Sequence, residues 1–231
     1  MAAPVISVKN AGVCYGGVMP FSKRHWALKD ISFDVMEGET LGVIGKNGAG
    51  KSTLLKLLGR ILKPDVGSVG GVAQKIQLLS LQVGFVAELN GIENVVLSGM
   101  LLGLSKKQCL ERMDAIVDFS GLGSAIHDPI NTYSSGMRAR LGFAVSCQTD
   151  PDVLLLDEVL GVGDKDFKQK SHEFIVDRMK SERSFVLVSH NEATILEHCK
   201  RSVWIEGGVV RAYGASDEVI KAYQGDQKLT A

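Results

Sequence analysis

The 231-residue chain is 45% hydrophobic, which is enough apolar material for a folded core and excludes an intrinsically disordered protein. Its 26 Lys and Arg residues balance its 26 Asp and Glu residues, which argues against a protein that wraps nucleic acid. No apolar run approaches the roughly 18 residues that a membrane-spanning helix needs, and the amino terminus lacks a secretory signal. Four widely spaced cysteines without a C-x-x-C motif predict reduced thiols, no metal site and a protein that stays inside the cell.

The amino-terminal region is predicted to form a small antiparallel β layer. Residues 5–13 and 31–35 both alternate apolar and polar side chains, which is typical of half-buried strands. The stretch between them, residues 14–29, carries glycines, a proline and a basic patch, and we interpret it as a loop. Tyr15 follows the first strand, where its ring could stack on a purine. The alternative is an aromatic side chain that only covers the edge of the core.

The strongest motif occupies residues 45–53 and fits G-x-x-x-x-G-K-[ST]. It lies between an apolar run predicted to be a buried strand and a run predicted to begin a helix, as this phosphate-binding loop requires. The glycines let backbone N–H groups and the helix N-terminus converge on phosphate oxygens. Lys51 can reach the β- and γ-phosphates of a nucleoside triphosphate, and the Ser52 hydroxyl is placed to bind Mg²⁺. The predicted nucleotide contacts here are Gly45, Asn47, Gly48, Gly50, Lys51, Ser52 and Thr53.

The middle of the chain changes from strand to helix periodicity. Residues 68–72 and 75–81 are interpreted as a further β pair. Helical patterns follow at about residues 92–104, 109–119 and 136–148, and a capping box from Ser105 to Gln108 predicts that one helix begins there. We therefore predict a mainly helical subdomain at about residues 86–148, inserted in a core lobe formed by residues 1–85 and 149–231.

Two later apolar strands are predicted to end in polar side chains. Residues 153–156 lead into Asp157, which can hold Mg²⁺ through water, and Glu158, which can polarise an attacking water. Residues 185–188 lead to His190, which can donate a hydrogen bond to a γ-phosphate oxygen. The alternatives are a solvated pair of carboxylates and an ordinary rim histidine. A helix at 165–180, a helix ending at 199, a hairpin at 202–213 and a short helix at 216–223 complete the prediction.

These motifs, in this order and spacing, resemble the nucleotide-binding subunit of an ABC transporter over essentially the whole chain. The motifs are the phosphate loop, the helical insert, the pentapeptide YSSGM at residues 133–137, the strand ending in Asp157 and Glu158, then Asp164 and His190. The resemblance implies an α/β fold with a P-loop (RecA-like) parallel-sheet core, an N-terminal antiparallel β layer and an inserted helical subdomain. It also implies an ATPase that uses ATP and Mg²⁺, with Glu158 and His190 as catalytic residues and Asp164 at the nucleotide.

The pentapeptide implies a second chain. The family usually has Leu-Ser-Gly-Gly-Gln there, so this sequence departs at Tyr133, Ser135 and Met137 and keeps Ser134 and Gly136. A Ser hydroxyl and backbone N–H groups at a helix start form an anion site. The resemblance implies a head-to-tail homodimer in which Ser134, Ser135 and Gly136 of one chain close over the γ-phosphate bound by Lys51 of the other. An ordinary capped helix start is the alternative.

One family residue has two possible positions. The glutamine that senses Mg²⁺ and lines the cleft for the membrane partner falls on Leu81 or Gln82, depending on loop length, and we assign it to Gln82. The Mg²⁺ ligands implied by the resemblance are therefore Ser52, Gln82 and Asp157.

Residues 85–94, 133–144 and 157–170 resemble the bacterial exporters of lipid-linked polysaccharides, namely O-antigen, capsule and teichoic acid. This implies an ATPase subunit on the cytoplasmic face of the inner membrane, with an integral membrane permease as partner and a lipid-linked polysaccharide as cargo. We expect no C-terminal glycan-binding domain. The alternatives are the ATPase subunit of another ABC transporter, or a soluble ABC ATPase of an assembly or nucleic-acid-handling complex.

The permease is expected to dock on residues 16–26 and 82–90. These stretches carry apolar and aromatic side chains in loop-like sequence, which commonly mark an interface. Lys23 and Arg24 lie beside them and could meet anionic headgroups. The alternative is that the aromatic side chains fold inward. The side chains concerned are Phe21, Trp26, Phe85 and Leu89.

Overall fold

A computed structural model describes residues 3–16, 24–79, 84–157, 164–181 and 183–230, with the backbone alone at 228–230. The strands in these ranges are β1 (Ile6–Tyr15), β2 (His25–Val35), β3 (Thr40–Ile44), β4 (Val66–Gly70), β5 (Ile76–Leu78), β6 (Val153–Asp157), β7 (Ser184–Val188), β8 (Arg201–Glu206) and β9 (Val209–Ala215). The α-helices are α1 (Lys51–Leu58), α2 (Gly91–Leu101), α3 (Lys106–Glu111), α4 (Met113–Ser120), α5 (Ser135–Ser146), α6 (Lys165–Met179), α7 (Glu192–His198) and α8 (Ser216–Thr230).

The described strands form two sheets. The larger has the order β5-β6-β7-β3-β8-β9 and is parallel except for the β8–β9 hairpin. Its inner strands are almost continuously apolar because parallel sheets are covered on both faces, and every residue of β7 is buried. The order places β7 between β6 and β3, so the carboxyl ends of these three strands are neighbours at one edge of the sheet.

The smaller sheet is antiparallel and has the order β2-β1-β4. This agrees with the predicted N-terminal β layer, but both strands are longer than the sequence pattern indicated. β2 begins at His25, and Trp26 lies opposite Cys14 in the ladder. The interpretation of residues 14–15 and 25–29 as loop was therefore wrong, because pairing between β1 and β2 outweighs the polar composition of this stretch.

The predicted pairing of residues 68–72 with 75–81 was also wrong. Val69 in β4 pairs with Val8 in β1, whereas Gln77 in β5 pairs with Leu154 in β6, so the two segments belong to different sheets. A short apolar run identifies a strand but does not identify its partner, which depends on the tertiary fold.

The Cα positions divide the chain into two compact units. The first comprises Met1–Leu78, Asp152–Glu158 and Arg178–Ala231, and it contains both sheets and a core around Leu41, Leu54 and Val186. The second comprises Leu79–Pro151 and Val159–Asp177. The sequence-based division placed residues 159–177 in the core lobe, whereas the structure groups them with the helices.

The second unit has its own apolar centre. Val95, Ile116 and Leu141 are fully buried there. A cluster of phenylalanines joins α4, α5 and α6, because Phe119 and Phe143 stack with ring centroids 5.9 Å apart and Phe167 meets both rings edge-on. This aromatic packing accounts for the grouping of α6 with the helical unit.

The four cysteines are free thiols, and three of them are buried. Burial, with a smaller contribution from the Glu39 carboxylate, raises the pKa of Cys199 to about 12, so this thiol stays protonated at neutral pH.

Of the helices in the described part of the chain, none combines the length and apolar character that crossing a membrane requires.

Candidate nucleotide-binding site

The phosphate loop connects β3 to α1, as the sequence predicted. Gly50 is the N-cap residue of α1 with a left-handed φ of 108°, and no described side chain caps this helix. A Cβ on Gly50 would lie 2.7 Å from the carbonyl oxygen of Ala27, and one on Gly45 would lie 2.1 Å from that of Ile205. Both positions therefore require glycine for close backbone approach, and Gly50 requires it also for its dihedral angle.

Backbone carbonyl groups of the phosphate loop fix the position of the Lys51 side chain. Its side chain is 9% exposed, and its ammonium donates hydrogen bonds to the carbonyl oxygens of Gly45, at 2.7 Å, and Lys46, at 3.0 Å. Charged donors make stronger hydrogen bonds than neutral ones, so these contacts fix the position of a buried positive charge. The side chain of Lys46 instead points to Glu206, with 3.4 Å between the charged atoms.

Ser52 and Asp157 meet at the carboxyl edge of the parallel sheet. Ser52 is in the first turn of α1, and Asp157 is the last residue of β6. The Ser52 hydroxyl donates to the Asp157 carboxylate at 3.3 Å, which is longer than a strong O–H···O hydrogen bond. A hydroxyl and a carboxylate oxygen are ligands that suit Mg²⁺, so the donor chemistry of this pair fits that ion.

An open cleft of about 380 Å³ joins these residues to the antiparallel sheet. Tyr15, at the end of β1, is 43% exposed. Two lining residues, His25 and Ala27, were missed by the sequence reasoning, because they lay in the stretch interpreted as loop. The β1–β2 register, which places His25 opposite Tyr15, would have revealed them. The cleft is lined by Tyr15, His25, Ala27, Asn47, Gly48, Gly50, Lys51, Ser52, Thr53 and Asp157.

Some predicted site residues do not line this cleft. Gly45 lies within the loop and contributes its carbonyl oxygen to Lys51. His190 is exposed and follows β7, where the Ser189 N–H donates to the Val43 oxygen of β3 at 3.1 Å. Glu158 and Gln82 lie outside the described residues.

Asp164 belongs to the helical unit and stabilises the start of α6. Its carboxylate accepts a hydrogen bond from the Phe167 N–H at 3.0 Å and lies 3.5 Å from the Arg140 guanidinium of α5. The structure thus gives Asp164 a capping role within the unit, which does not itself involve a nucleotide.

The pentapeptide begins α5 in the helical unit. Ser134 is the N-cap, and its hydroxyl oxygen accepts a hydrogen bond from the Met137 N–H at 3.1 Å, while Ser135 and Gly136 form the first turn. Tyr133 is 3% exposed and its hydroxyl donates to the Ala125 oxygen at 2.5 Å. Burial, assisted by the Asp128 carboxylate, raises the pKa of the Tyr133 phenol. The tyrosine in place of the usual leucine is therefore a core residue.

The segment before α2 is fixed by a buried asparagine. The Asn94 side chain accepts from the Val86 N–H at 2.7 Å and donates to the oxygens of Val86, Leu89 and Asn90. Asn90 is the N-cap of α2 and forms a capping box with Glu93, which the sequence reasoning did not identify although N-x-x-E is its pattern.

The expected docking residues of this segment differ in exposure. Phe85 packs against the core of the helical unit, Leu89 is half-buried and Val86 is 38% exposed. Of the expected docking residues, Phe85 is thus partly buried, Trp26 lies in β2, and Phe21 and Lys23 lie outside the described residues.

A parallel sheet with a glycine-rich loop, a buried lysine and a Ser–Asp pair at its carboxyl edge defines a P-loop nucleoside-triphosphate-binding domain. A dimeric ATP-binding cassette bound to ADP and Pi in a post-hydrolysis state has the same fold, with a TM-score of 0.71, 22% sequence identity, and coverage of 91% of this chain and 98% of that chain. The predicted fold class is confirmed.

The family is shown by sequence comparison. A profile described as ABC transporter matches residues 28–161. The O-antigen export system ATP-binding protein RfbB of Klebsiella pneumoniae is 44% identical over 202 residues, which cover 87% of this chain and 82% of that protein. The teichoic acids export ATP-binding protein TagH of Lactococcus lactis is 40% identical over 222 residues, which cover 96% of this chain but 47% of that protein. The chain belongs to the ABC transporter family, whose cassettes couple ATP hydrolysis to transport.

Proposed function

We propose that this chain is the ATP-hydrolysing subunit of an exporter that moves a lipid-linked polysaccharide across the bacterial inner membrane through a separate permease. The main support is the identity of 40–44% with ATP-binding proteins of O-antigen and teichoic acid export. The cleft formed by Lys51, Ser52 and Asp157 supplies the chemistry for ATP. The chain spans about half the length of the TagH relatives, so their whole activity is not transferred to it.

The phosphate loop binds the triphosphate in this proposal. The Lys51 ammonium exchanges its hydrogen bonds with the Gly45 and Lys46 oxygens for bonds to β- and γ-phosphate oxygens. Backbone N–H groups at Asn47, Gly48 and Gly50 and at the start of α1 add an anion site, and Thr53 lines the same cleft. A positive charge that is already desolvated and oriented needs little reorganisation when the ligand arrives.

Ser52, Asp157 and Gln82 would hold Mg²⁺. The first two already lie 3.3 Å apart with oxygen atoms facing each other. Bound Mg²⁺ would neutralise charge on the phosphates. Asp157 also accepts a hydrogen bond from the Ser52 hydroxyl, and both residues line the cleft.

Hydrolysis is assigned to residues that follow β6 and β7. Glu158 comes directly after Asp157 and would orient and polarise the attacking water, while His190 would donate a hydrogen bond to the γ-phosphate. Replacing Glu158 with Gln should slow hydrolysis by about 10²-fold or more and leave ATP affinity within about threefold, because an amide cannot act as the base. Near-normal turnover of Glu158→Gln in the assembled transporter would contradict this assignment.

A homodimer completes each site in the proposal. Ser134, Ser135 and Gly136 of one subunit would bind the γ-phosphate held by the Lys51 of the other, and Asp164 is proposed to contact the nucleotide. The Ser134 oxygen accepts from Met137 N–H but its own O–H is a donor that can serve a phosphate. A solved ABC cassette of this fold is itself a dimer, although at 22% identity it supports the fold alone.

Mixed dimers test the exchange between subunits. Combining Ser134→Arg chains with Lys51→Ala chains should yield heterodimers with one doubly defective site and one intact site. Partial ATPase activity should then reappear, although neither variant is active alone. Mixed dimers that stay inactive, with both chains folded and associated, would argue for a site formed within one subunit.

The permease is proposed to contact the segment 84–90, where Val86 is exposed and Leu89 half-buried. The Asn94 hydrogen bonds fix the backbone of this segment, so the partner meets a preformed surface. Val86→Asp should uncouple export from ATP binding, because it places an unpaired charge in a contact that must lose water. Phe85→Asp is a less specific test, because Phe85 also packs against the core of the helical unit and its replacement would disturb the fold as well.

The export function is tested in the source bacterium. Deleting the gene should remove the lipid-linked polysaccharide from the cell surface and cause it to accumulate inside, and the wild-type gene but not Glu158→Gln should restore it. Extracted glycolipid and surface staining would be measured together. Unchanged surface polysaccharide in the deletion strain would contradict export and would favour an ATPase of another transporter or of an assembly complex.

A further inference from the structure

Two chemical groups can be distinguished among the residues that line the nucleotide cleft. One group carries charge and hydrogen-bonding atoms suited to phosphates, namely Lys51, Ser52 and Asp157. The other group consists of two rings, Tyr15 and His25, at the neighbouring ends of β1 and β2. Only the tyrosine ring has been assigned a ligand so far, so the role of the histidine ring is open.

The strand register places these two rings side by side. Tyr15 and His25 are direct partners in the antiparallel ladder, and the adjacent pair Cys14 and Trp26 continues it without a register shift. Side chains of directly opposed residues emerge on the same face of a sheet, with Cβ atoms roughly 4.5–5.5 Å apart. Both residues also line the cleft, so the two side chains lie at the same end of the nucleotide site.

The position of His25 is fixed relative to the phosphate loop. Two residues further along β2, the Ala27 carbonyl oxygen lies so close to Gly50 and Gly208 that a Cβ would come within 2.7 and 2.6 Å of it, respectively. The Gly208 N–H donates to the Ala49 oxygen, and its own oxygen accepts from the Lys29 N–H at 2.7 Å. The strand that carries His25 is thus joined to the loop that carries Lys51 by close backbone contacts.

We propose that His25 is a second nucleoside-binding residue, whose imidazole extends the Tyr15 ring and contacts the base and ribose of the bound nucleotide. This rests on the proposed ATP site. Planar side chains stack on nucleobases, and an imidazole nitrogen can also bond a ribose hydroxyl. Tyr15 is 43% exposed and His25 is also exposed, so both side chains have surface that a nucleoside can cover.

The test compares a ligand that has a nucleoside with one that lacks it. Isothermal titration of the full chain with Mg-ATP and with Mg-tripolyphosphate separates the nucleoside from the phosphates. His25→Ala should weaken ATP binding about tenfold and change tripolyphosphate binding less than about twofold. His25→Phe, which keeps a planar ring, should recover most of the ATP affinity. The matched control is His172→Ala, an exposed histidine of α6, which should alter neither affinity.

Three other outcomes would contradict either the role of His25 or the ATP site. ATP affinity unchanged in His25→Ala would remove His25 from the nucleoside site. Equal weakening of both ligands would show that the residue only supports the phosphate loop, and would also overturn the inference. A wild-type chain that binds tripolyphosphate but not ATP would overturn the proposed ATP site itself. Lys51→Ala should weaken the binding of both ligands, because both contain the phosphates that Lys51 contacts.

Discussion

Two helix N-termini in this chain are proposed to bind the same phosphate, yet they are built differently. The α1 helix begins at Gly50, whose φ of 108° excludes most side chains, and no described side chain caps it. The α5 helix begins at Ser134, whose φ of −63° suits any residue and whose hydroxyl caps the helix itself. Both starts place N–H groups and the positive end of a helix dipole at the surface of their own unit.

The difference shows which of the two is a complete anion site. The α1 start has a buried lysine beside it, held by two carbonyl oxygens at 2.7 and 3.0 Å, so positive charge is present before any ligand binds. At the start of α5, the Ser134 hydroxyl oxygen already accepts a hydrogen bond from the Met137 N–H, so it is partly used in capping its own helix. We infer that the first site determines affinity and that the second adds contacts only when another site presents a phosphate.

The largest expected effect lies in the phosphate loop. Lys51→Ala should raise the ATP dissociation constant by about 100-fold, because it removes a desolvated charge that bonds phosphate oxygens. The control is Lys46→Ala, which changes a lysine of the same loop that pairs with Glu206, and which should alter affinity less than about threefold. Equal losses in the two variants would mean that the loop responds to net charge and not to the placed ammonium.

The next effect concerns the contact that braces this site. Gly208→Ala should destabilise the fold by about 2–3 kcal/mol in denaturant titration, because the new Cβ would meet the Ala27 oxygen at 2.6 Å and φ is +77°. Gly207→Ala is a matched control, since its φ of +58° is also left-handed but its Cβ would meet nothing within 4 Å. That variant should cost about 1 kcal/mol. Similar losses at both positions would contradict the bracing contact.

A smaller effect is expected at the second helix start. Ser134→Ala should lower stability by about 1 kcal/mol through loss of the cap and should reduce ATPase activity of the dimer. Ser105→Ala removes an equivalent cap, at the start of α3, from a residue with no proposed ligand, so it should cost similar stability and leave ATPase activity unchanged. The comparison of melting temperature with turnover then separates capping from phosphate binding. If both variants lose activity in parallel, Ser134 acts only through the fold.

The smallest effect is expected for Tyr133→Phe. Loss of the hydrogen bond to the Ala125 oxygen should cost about 0.5–1 kcal/mol near neutral pH, with α5 otherwise unchanged. Because the folded-state pKa is raised above the ordinary 10.0, the contribution of this phenol is fully present below pH 10 and is lost as the pH rises through the folded pKa. Urea titrations across alkaline pH should therefore show a steeper decline for wild type than for the variant. Parallel declines would contradict a buried phenol.

Much of the fold could be predicted from local pattern alone. The run at residues 153–156 and the run at 185–188 are short and wholly apolar, and both proved to be inner strands of the parallel sheet. The capping box at Ser105 is confirmed because it depends only on two residues three positions apart. The partners of β4 and β5 were not predictable in this way, since pairing between strands distant in sequence depends on tertiary packing.

The candidate site shows the same limit. The residues of the phosphate loop stand together in sequence, so their motif identified them, and the relatives confirm the family that the motif indicated. His25 and Ala27 carry no motif and enter the cleft only because β2 pairs with β1. The roles of Glu158 and Gln82 stay predictions, since both residues lie outside the described part of the chain.

The packing of Gly50 and Gly208 against the Ala27 oxygen has a consequence for ligand length. Because this contact joins the strand that carries the rings to the loop that carries Lys51, the span between them cannot stretch or shorten freely. A ligand that contacts both the rings and Lys51 must match that span, and we expect a nucleoside monophosphate, which carries a single phosphate, to contact Lys51 less well than a triphosphate. The fixed spacing between the rings and Lys51 would then add to the preference for a triphosphate, together with the residues proposed to bind the γ-phosphate.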